Sequence, residues 1–273
     1  MAESKYKLLV VDIDGTLLDR NRAISDEDKE ALDRVTESGI RVSLSTGRVV
    51  EASRRILDRL SLDGYHMFFD GALVCNPDKG EEVYADPIGR ETLGQLVDFA
   101  HRIGLDMDLY SSTRYFVERE TWATDIRRDF FDLIPVVVDF KKLWREERII
   151  KGTLVVASPE DKAKALEVCE NFQGSLNFSW TRTPAYPDID FINVIAPDVS
   201  KGTALQALVA FLGINLEEVM AIGDGANDIS LLSAAGLAVA VDNAADELKA
   251  VADHITLDVD HHGVAEAVNR FLL

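Results

Sequence analysis

The chain has 273 residues, 47% of them apolar, enough for one large or two ordinary domains with a sizeable core. Its formal net charge is −19, so neither non-specific nucleic-acid binding nor docking on an anionic membrane is expected, since both rest on Lys and Arg meeting phosphates. Cys75 and Cys169 have no metal-ligand spacing and read as buried thiols of a reducing compartment. No apolar run reaches the ~18 residues that a membrane span needs. The N-terminus carries no signal pattern, so the expected location is the cytoplasm.

In chain order, residues 6–11 read as a strand. Ser25 then caps a helix whose acidic first turn suits the positive end of the dipole. Residues 40–45 are the second strand and residues 49–60 the second helix, with Ala52, Ile56, Leu57 and Leu60 on one face. Residues 66–69 and 73–75 read as a third strand and a short return. The stretch 86–193 changes rhythm. Helical patterns at 90–103 and 159–172 alternate with paired strand-like runs at 105–110 with 115–118 and at 175–180 with 190–194, beside an apolar run at 149–156. After this, a helix at 201–212, a strand at 219–222, a short helix at 228–235, a strand at 237–241 and helices at 244–251 and 264–271 resume the first alternation. Alternating strands and helices predict βαβ units and a parallel sheet, whereas hairpin pairs with helices predict an α+β module. The expected fold is therefore α/β: a doubly wound, Rossmann-like parallel-sheet core formed by residues 1–85 and 194–273, with an α+β module of residues 86–193 inserted into it.

Two acidic segments carry most of the chemical information. Val10-Val11-Asp12-Ile13-Asp14-Gly15-Thr16-Leu17 and Met220-Ala221-Ile222-Gly223-Asp224-Gly225-Ala226-Asn227-Asp228 both follow an apolar strand. Each places carboxylates at the strand's C-terminal end, the edge where open α/β sheets bind ligands. If the two strands are neighbours, Asp12, Asp14, Asp224 and Asp228 meet at one point. Four carboxylates cannot all ionise at close range without a cation, and oxygen-only ligands favour a hard ion such as Mg2+. Asp-Gly after a strand also makes an ordinary turn, and Asn227 also suits a helix cap.

Ser45-Thr46-Gly47-Arg48 joins a strand to a helix, where a hydroxyl and free backbone N–H groups form an anion site; the same residues also serve as an N-cap. Ser200-Lys201-Gly202 places a lysine in a first helical turn, where the dipole disfavours cations. Neighbouring carboxylates or a bound phosphate offset that cost. His261 and His262 stand side by side and do not present their rings to one metal as an i,i+4 pair does, so they read as a surface loop.

Taken in order, these segments resemble the haloacid-dehalogenase-like superfamily of phosphotransferases. Asp12-Ile13-Asp14-Gly15-Thr16-Leu17 is similar to its first motif, Thr46-Gly47-Arg48 to the second, Lys201 to the third, and Gly223-Asp224 with Asn227-Asp228 to the fourth. The position of the insertion and the closing Gly263-Val264-Ala265-Glu266-Ala267-Val268 resemble the Cof-like, type IIB phosphatases with a C2 cap. The resemblance implies Mg2+-dependent hydrolysis of a small phosphorylated metabolite, a sugar phosphate or similar. Asp12 would be the nucleophile that forms an aspartyl-phosphate, and Asp14 the acid/base. Thr46, Gly47, Lys201 and Asn227 would bind phosphate. Asp12, the Asp14 carbonyl, Asp224 and Asp228 would hold the metal. In the cap, Arg114, Tyr115, Arg182, Tyr186 and Asp188 are the candidates for contact with the leaving group. A phosphosugar mutase and a non-catalytic phospho-receiver module are the alternatives, and a monomer and a homodimer are both compatible. One departure is evident: Phe69-Asp70-Gly71-Ala72 stands where such phosphatases usually carry Asn-Gly-Ala. It adds a negative charge near the mouth and favours a hydroxyl or amine over direct contact with phosphate.

Overall fold

The computed structural model describes residues 4–183 and 186–273; the side chains of Phe130 and of residues 181–188 also lie outside the description. The chain opens with β1 (Leu8–Asp12), α1 (Asp26–Glu37), β2 (Arg41–Ser45), α2 (Val50–Leu60), β3 (His66–Phe68), β4 (Leu73–Asn76) and β5 (Glu81–Ala85). It continues with α3 (Arg90–Ile103), β6 (Met107–Tyr110), β7 (Tyr115–Val117), α4 (Trp122–Phe131), β8 (Pro135–Val137), α5 (Phe140–Glu146), β9 (Lys151–Val156), α6 (Pro159–Asn171), β10 (Asn177–Thr183) and β11 (Tyr186–Ile195). The last part comprises α7 (Lys201–Leu212), β12 (Val219–Gly223), α8 (Ile229–Ala234), β13 (Leu237–Ala240), α9 (Asp246–Lys249), β14 (His254–Ile255) and α10 (Gly263–Phe271).

Two compact units result. The first is Met1–Arg48, Arg54–Tyr84 and Ser200–Leu273; the second is Val49–Ser53 and Ala85–Val199. β11 runs to Ile195, opposite Asn177 of β10, and the second unit continues to Val199.

The first unit is built on an eight-stranded sheet in the order β14-β13-β12-β1-β2-β3-β4-β5. β1 pairs in parallel with β2 on one side and with β12 on the other. Sequence order runs outward in both directions from this pair, so the sheet has its topological switch point between β1 and β12. Leu8 to Val11 and Val219 to Ile222 are buried, as a doubly covered parallel strand requires. Ser25 accepts a hydrogen bond from the Asp28 N–H and caps α1. Asp28 is itself buried and accepts from the Ala265 N–H at 2.7 Å, which ties α1 to α10.

The second unit holds a six-stranded sheet in the order β10-β11-β9-β6-β7-β8. All its pairs are antiparallel except β7 with β8. One sheet face packs on α3, α5 and α6 through Leu96, Phe140, Val168, Leu109, Leu154 and Ile192. Residues of opposite parity form the other face, where Ala123 and Ile126 of α4 meet Val155 and Phe191. On that face the buried Arg127 guanidinium donates to Asp108 at 3.3 Å and lies over the Phe191 ring. Of the two cysteines, Cys75 is buried and Cys169 only half-buried; both are free thiols.

Candidate active site

The switch point sets the site. Val11 is opposite Ile222 and Asp12 is opposite Ser45, so the ends of β1, β2 and β12 release Asp12, Thr46 and Asp224 at one edge of the sheet. Single oxygens of Asp12, Asp224 and Asp228 lie within 4.8 Å of one another. Asp12 and Asp228 are buried, and Asp224 is half-buried.

Lys201, in the first turn of α7, is 1% exposed. Its Nζ donates to Asp12 Oδ1 and to Asp228 Oδ1, both at 2.6 Å, and reaches the Ser45 carbonyl at 3.5 Å. These contacts offset the helix dipole. Burial alone opposes the ammonium, but the Asp12 and Asp228 carboxylates, with Asp70 behind them, hold it charged well above the ordinary lysine range. The other oxygen of Asp228 accepts from the N–H groups of Asp224 and Gly225 at 3.1 and 3.0 Å, closing the turn after β12.

The carboxylates respond in the opposite direction. Burial, then the charge of Asp228, pushes the Asp12 proton affinity well above the usual carboxylate range, although Lys201 pulls it down. Asp224 is pushed up to about 6, by burial first and Asp228 second, against a hydrogen bond from Thr16 Oγ1 at 3.2 Å. Five carboxylates, Asp12, Asp14, Asp70, Asp224 and Asp228, gather near the cations Lys201 and Arg48. The donor set is all oxygen and carries surplus negative charge, so it fits a hard divalent cation.

Asp14 does not join the three-carboxylate group. Its side chain is exposed and is held by Arg48, with Nε to Oδ2 at 2.8 Å and Nη2 to Oδ1 at 2.5 Å. Gly15, at φ +90, keeps the turn open: a Cβ there would stand 2.3 Å from Asp224 Oδ2. Thr46 is buried, and its Oγ1 accepts from the Arg48 N–H at 3.1 Å. Gly47 lies against Asp70, whose Oδ1 accepts from the Asn227 amide at 2.9 Å.

Asp70 sits in a turn of three successive left-handed residues, Phe69, Asp70 and Gly71 at φ 55, 57 and 100. For a non-glycine residue this conformation costs about 1–3 kcal/mol and persists only where the surroundings enforce it. Here the Phe69 N–H donates to the Arg48 carbonyl and the Asp70 N–H to the Thr46 carbonyl, at 3.1 and 3.0 Å.

Comparison with known proteins gives this geometry a family. Residues 9–268 match the family model for haloacid dehalogenase-like hydrolases. The chain belongs to that family. Among similar curated proteins, phosphatase YwpJ of Bacillus subtilis (strain 168) is 28% identical, the match covering 97% of this chain and 100% of that protein. A haloacid dehalogenase-like hydrolase from Bacteroides thetaiotaomicron superposes with a TM-score of 0.83 at 29% identity, over 97% of this chain and 99% of the other. A subclass IIB sugar phosphatase of the superfamily superposes with a TM-score of 0.79 at 26% identity, over 97% and 98% of the two chains. The α/β fold read from the sequence and the resemblance to Cof-like enzymes both hold. This haloacid dehalogenase-like protein is an enzyme, a hydrolase of the phosphatase type.

The remaining candidates belong to the second unit. Arg114 pairs with Glu147 and lies over the Phe116 ring. Tyr115 is buried and stacks on Tyr110 with ring centroids 4.9 Å apart. The side chains of Arg182, Tyr186 and Asp188 lie outside the described residues. Among the described residues, no helix is long and apolar enough to cross a membrane.

Two features of the haloacid dehalogenase-like site escape the sequence reading. Asn243 donates to the Gly15 carbonyl and accepts from the Val259 N–H, both at 2.8 Å, bracing the turn after β1 from a loop with no motif of its own. The bidentate geometry of Arg48 on Asp14 is the second; the charge of Arg48 suggests that it neutralises a nearby acid, but not which one.

Proposed function

We propose that the protein is a Mg2+-dependent phosphate-monoester hydrolase acting on a small phosphorylated metabolite through an aspartyl-phosphate. The observation that carries this reading is the buried Asp12 carboxylate, 2.6 Å from the Lys201 ammonium and within 4.8 Å of oxygens of Asp224 and Asp228. In the first step an Asp12 oxygen forms a bond to phosphorus as the ester P–O bond breaks. Asp14 gives its proton to the leaving oxygen. In the second step Asp14 takes a proton from water as the water oxygen attacks phosphorus, which returns Asp12 as a carboxylate and frees phosphate. Lys201, Thr46 and the N–H groups around Gly47 hold the phosphoryl oxygens as charge shifts among them. Asp12, the Asp14 carbonyl and Asp224, with Asp228 in support, would hold Mg2+, which when bound would supply the positive charge that lets a carboxylate approach a phosphate.

In this reading residues 86–193 are the cap. Arg114, Tyr115, Arg182, Tyr186 and Asp188 are its candidates for leaving-group selection, and a sugar phosphate or similar metabolite is the substrate class. The test is release of phosphate from a panel of phosphorylated metabolites with Mg2+, using the wild type and Asp12→Asn. Turnover by the wild type alone, with no sugar bisphosphate required, is the expected result. Turnover by folded Asp12→Asn would refute the nucleophile, and a bisphosphate requirement would make the protein a mutase.

A further inference from the structure

The strained turn at Asp70 has a second aspect. Asp70 makes contact with parts of the site that come from separate elements. Its N–H donates to the Thr46 carbonyl, its Oδ1 accepts from Asn227, and its two oxygens would lie 2.8 and 2.9 Å from a Cβ on Gly47. Gly71, next in the turn, lies against the first residues of α7: a Cβ there would be 2.3 Å from the Ser200 carbonyl and 2.9 Å from the Lys201 nitrogen. The loop after β2, the N-terminus of α7 and the turn after β12 are thus referenced to one turn, the first and last through Asp70 and α7 through Gly71. Asn227 is otherwise exposed, and one N–H of its amide is committed to Asp70. That contact fixes the plane of the amide and leaves its second N–H for another acceptor.

A carboxylate at this position carries an electrostatic cost. An uncharged acceptor orients the amide equally well, and a negative charge repels the anion that the neighbouring groups are arranged to hold. We propose that Asp70 is a positioning residue with two opposed effects: it sets Asn227 to hydrogen-bond the phosphoryl group, and its charge limits how tightly product phosphate is retained. The proposal rests on the phosphatase reading of the site.

The two effects separate by substitution. Asp70→Asn keeps an acceptor for Asn227, tolerates the left-handed backbone and removes the charge. Asp70→Ala removes both the acceptor and the charge. Inorganic phosphate with Mg2+ is the probe, read by the rise in melting temperature with phosphate and by product inhibition of p-nitrophenyl phosphate hydrolysis. We expect Asp70→Asn to bind phosphate about threefold tighter than the wild type and Asp70→Ala about tenfold weaker. The change in hydrolysis should fall more on KM than on kcat. Asn227→Ala loses the same hydrogen bond but keeps the Asp70 charge, so it should bind about threefold more weakly than Asp70→Ala, and the double variant should match Asp70→Ala, since the hydrogen bond is lost only once. Equal effects of the two Asp70 variants, weaker binding by Asp70→Asn, or losses that multiply in the double variant would each overturn the proposal. If Asp70→Ala does not fold, the sign for Asp70→Asn decides. Phosphate-dependent stabilisation with no turnover of any ester would defeat the phosphatase reading while leaving the role of Asp70 intact.

Discussion

Arg48 grips Asp14 through two nitrogens, Nε to Oδ2 at 2.8 Å and Nη2 to Oδ1 at 2.5 Å, in the bidentate geometry that only arginine offers. This pair links the first and second motifs and fixes where the exposed Asp14 carboxylate stands. In the proposed mechanism Asp14→Asn removes proton transfer and lowers kcat by about 10²–10⁴. Arg48→Met only loosens the carboxylate and should lower kcat about tenfold, an order estimated from the modest worth of a partly exposed pair. Steady-state kinetics on an aryl phosphate measure both. A loss with Arg48→Met as deep as that with Asp14→Asn would mean that Arg48 touches the substrate itself.

Lys201 is the shared counter-ion of two buried carboxylates. Lys201→Met leaves Asp12 and Asp228 buried without it, a class of change that costs about 3–5 kcal/mol. Denaturant unfolding should show that loss, and millimolar Mg2+ should recover part of it by giving the carboxylates another cation. A variant as stable as the wild type in the absence of metal would contradict the buried pairing.

Gly15 and Gly39 share φ +90, but a Cβ on Gly39 meets nothing within 4 Å, whereas one on Gly15 collides with Asp224. Gly39→Ala should therefore show the backbone penalty alone, about 1 kcal/mol. Gly15→Ala should show that penalty and also displace Asp224, raising the Mg2+ concentration for half-maximal activity about tenfold by an order-of-magnitude reading of a lost ligand. Thermal melts and Mg2+ titrations of the two variants separate the effects.

His66 is fully buried in β3 and accepts from the Leu44 N–H through Nδ1 at 3.1 Å, so it is neutral in the fold. Burial lowers its pKa from 6.5 to about 4. As pH falls below 6.5 the unfolded chain takes up this proton first, so stability is lost between pH 6.5 and pH 4, by about 3 kcal/mol in all. Equilibrium unfolding across that range should show the slope, and His66→Asn, which keeps an acceptor without a titration, should flatten it.

Much of the frame was legible because local signals agreed. Ser200, the leucine stripe and Gly213 define α7 at both ends, and two apolar strands ending in aspartate announced the neighbours β1 and β12. The helix α4 was missed because Arg127 occupies a buried position on it, breaking the apolar stripe to meet Asp108. The strands β5, β8 and β14 were missed because they are short and largely exposed. In the site, the residue types named the chemistry, but their pairings did not follow from spacing. Asp70 and Asn227 meet across 157 positions, and nothing local to either residue specifies that encounter.

β1 is held between β2, made almost immediately after it, and β12, made some two hundred residues later. While the chain is being synthesised, one edge of this apolar strand has no partner, the condition under which unfinished β-structure recruits strangers. A nascent chain also carries Asp12 long before Asp224 and Asp228 exist. The carboxylate cluster is therefore incomplete until synthesis has passed Asp228, and everything from α3 to β11 must be accommodated within that wait.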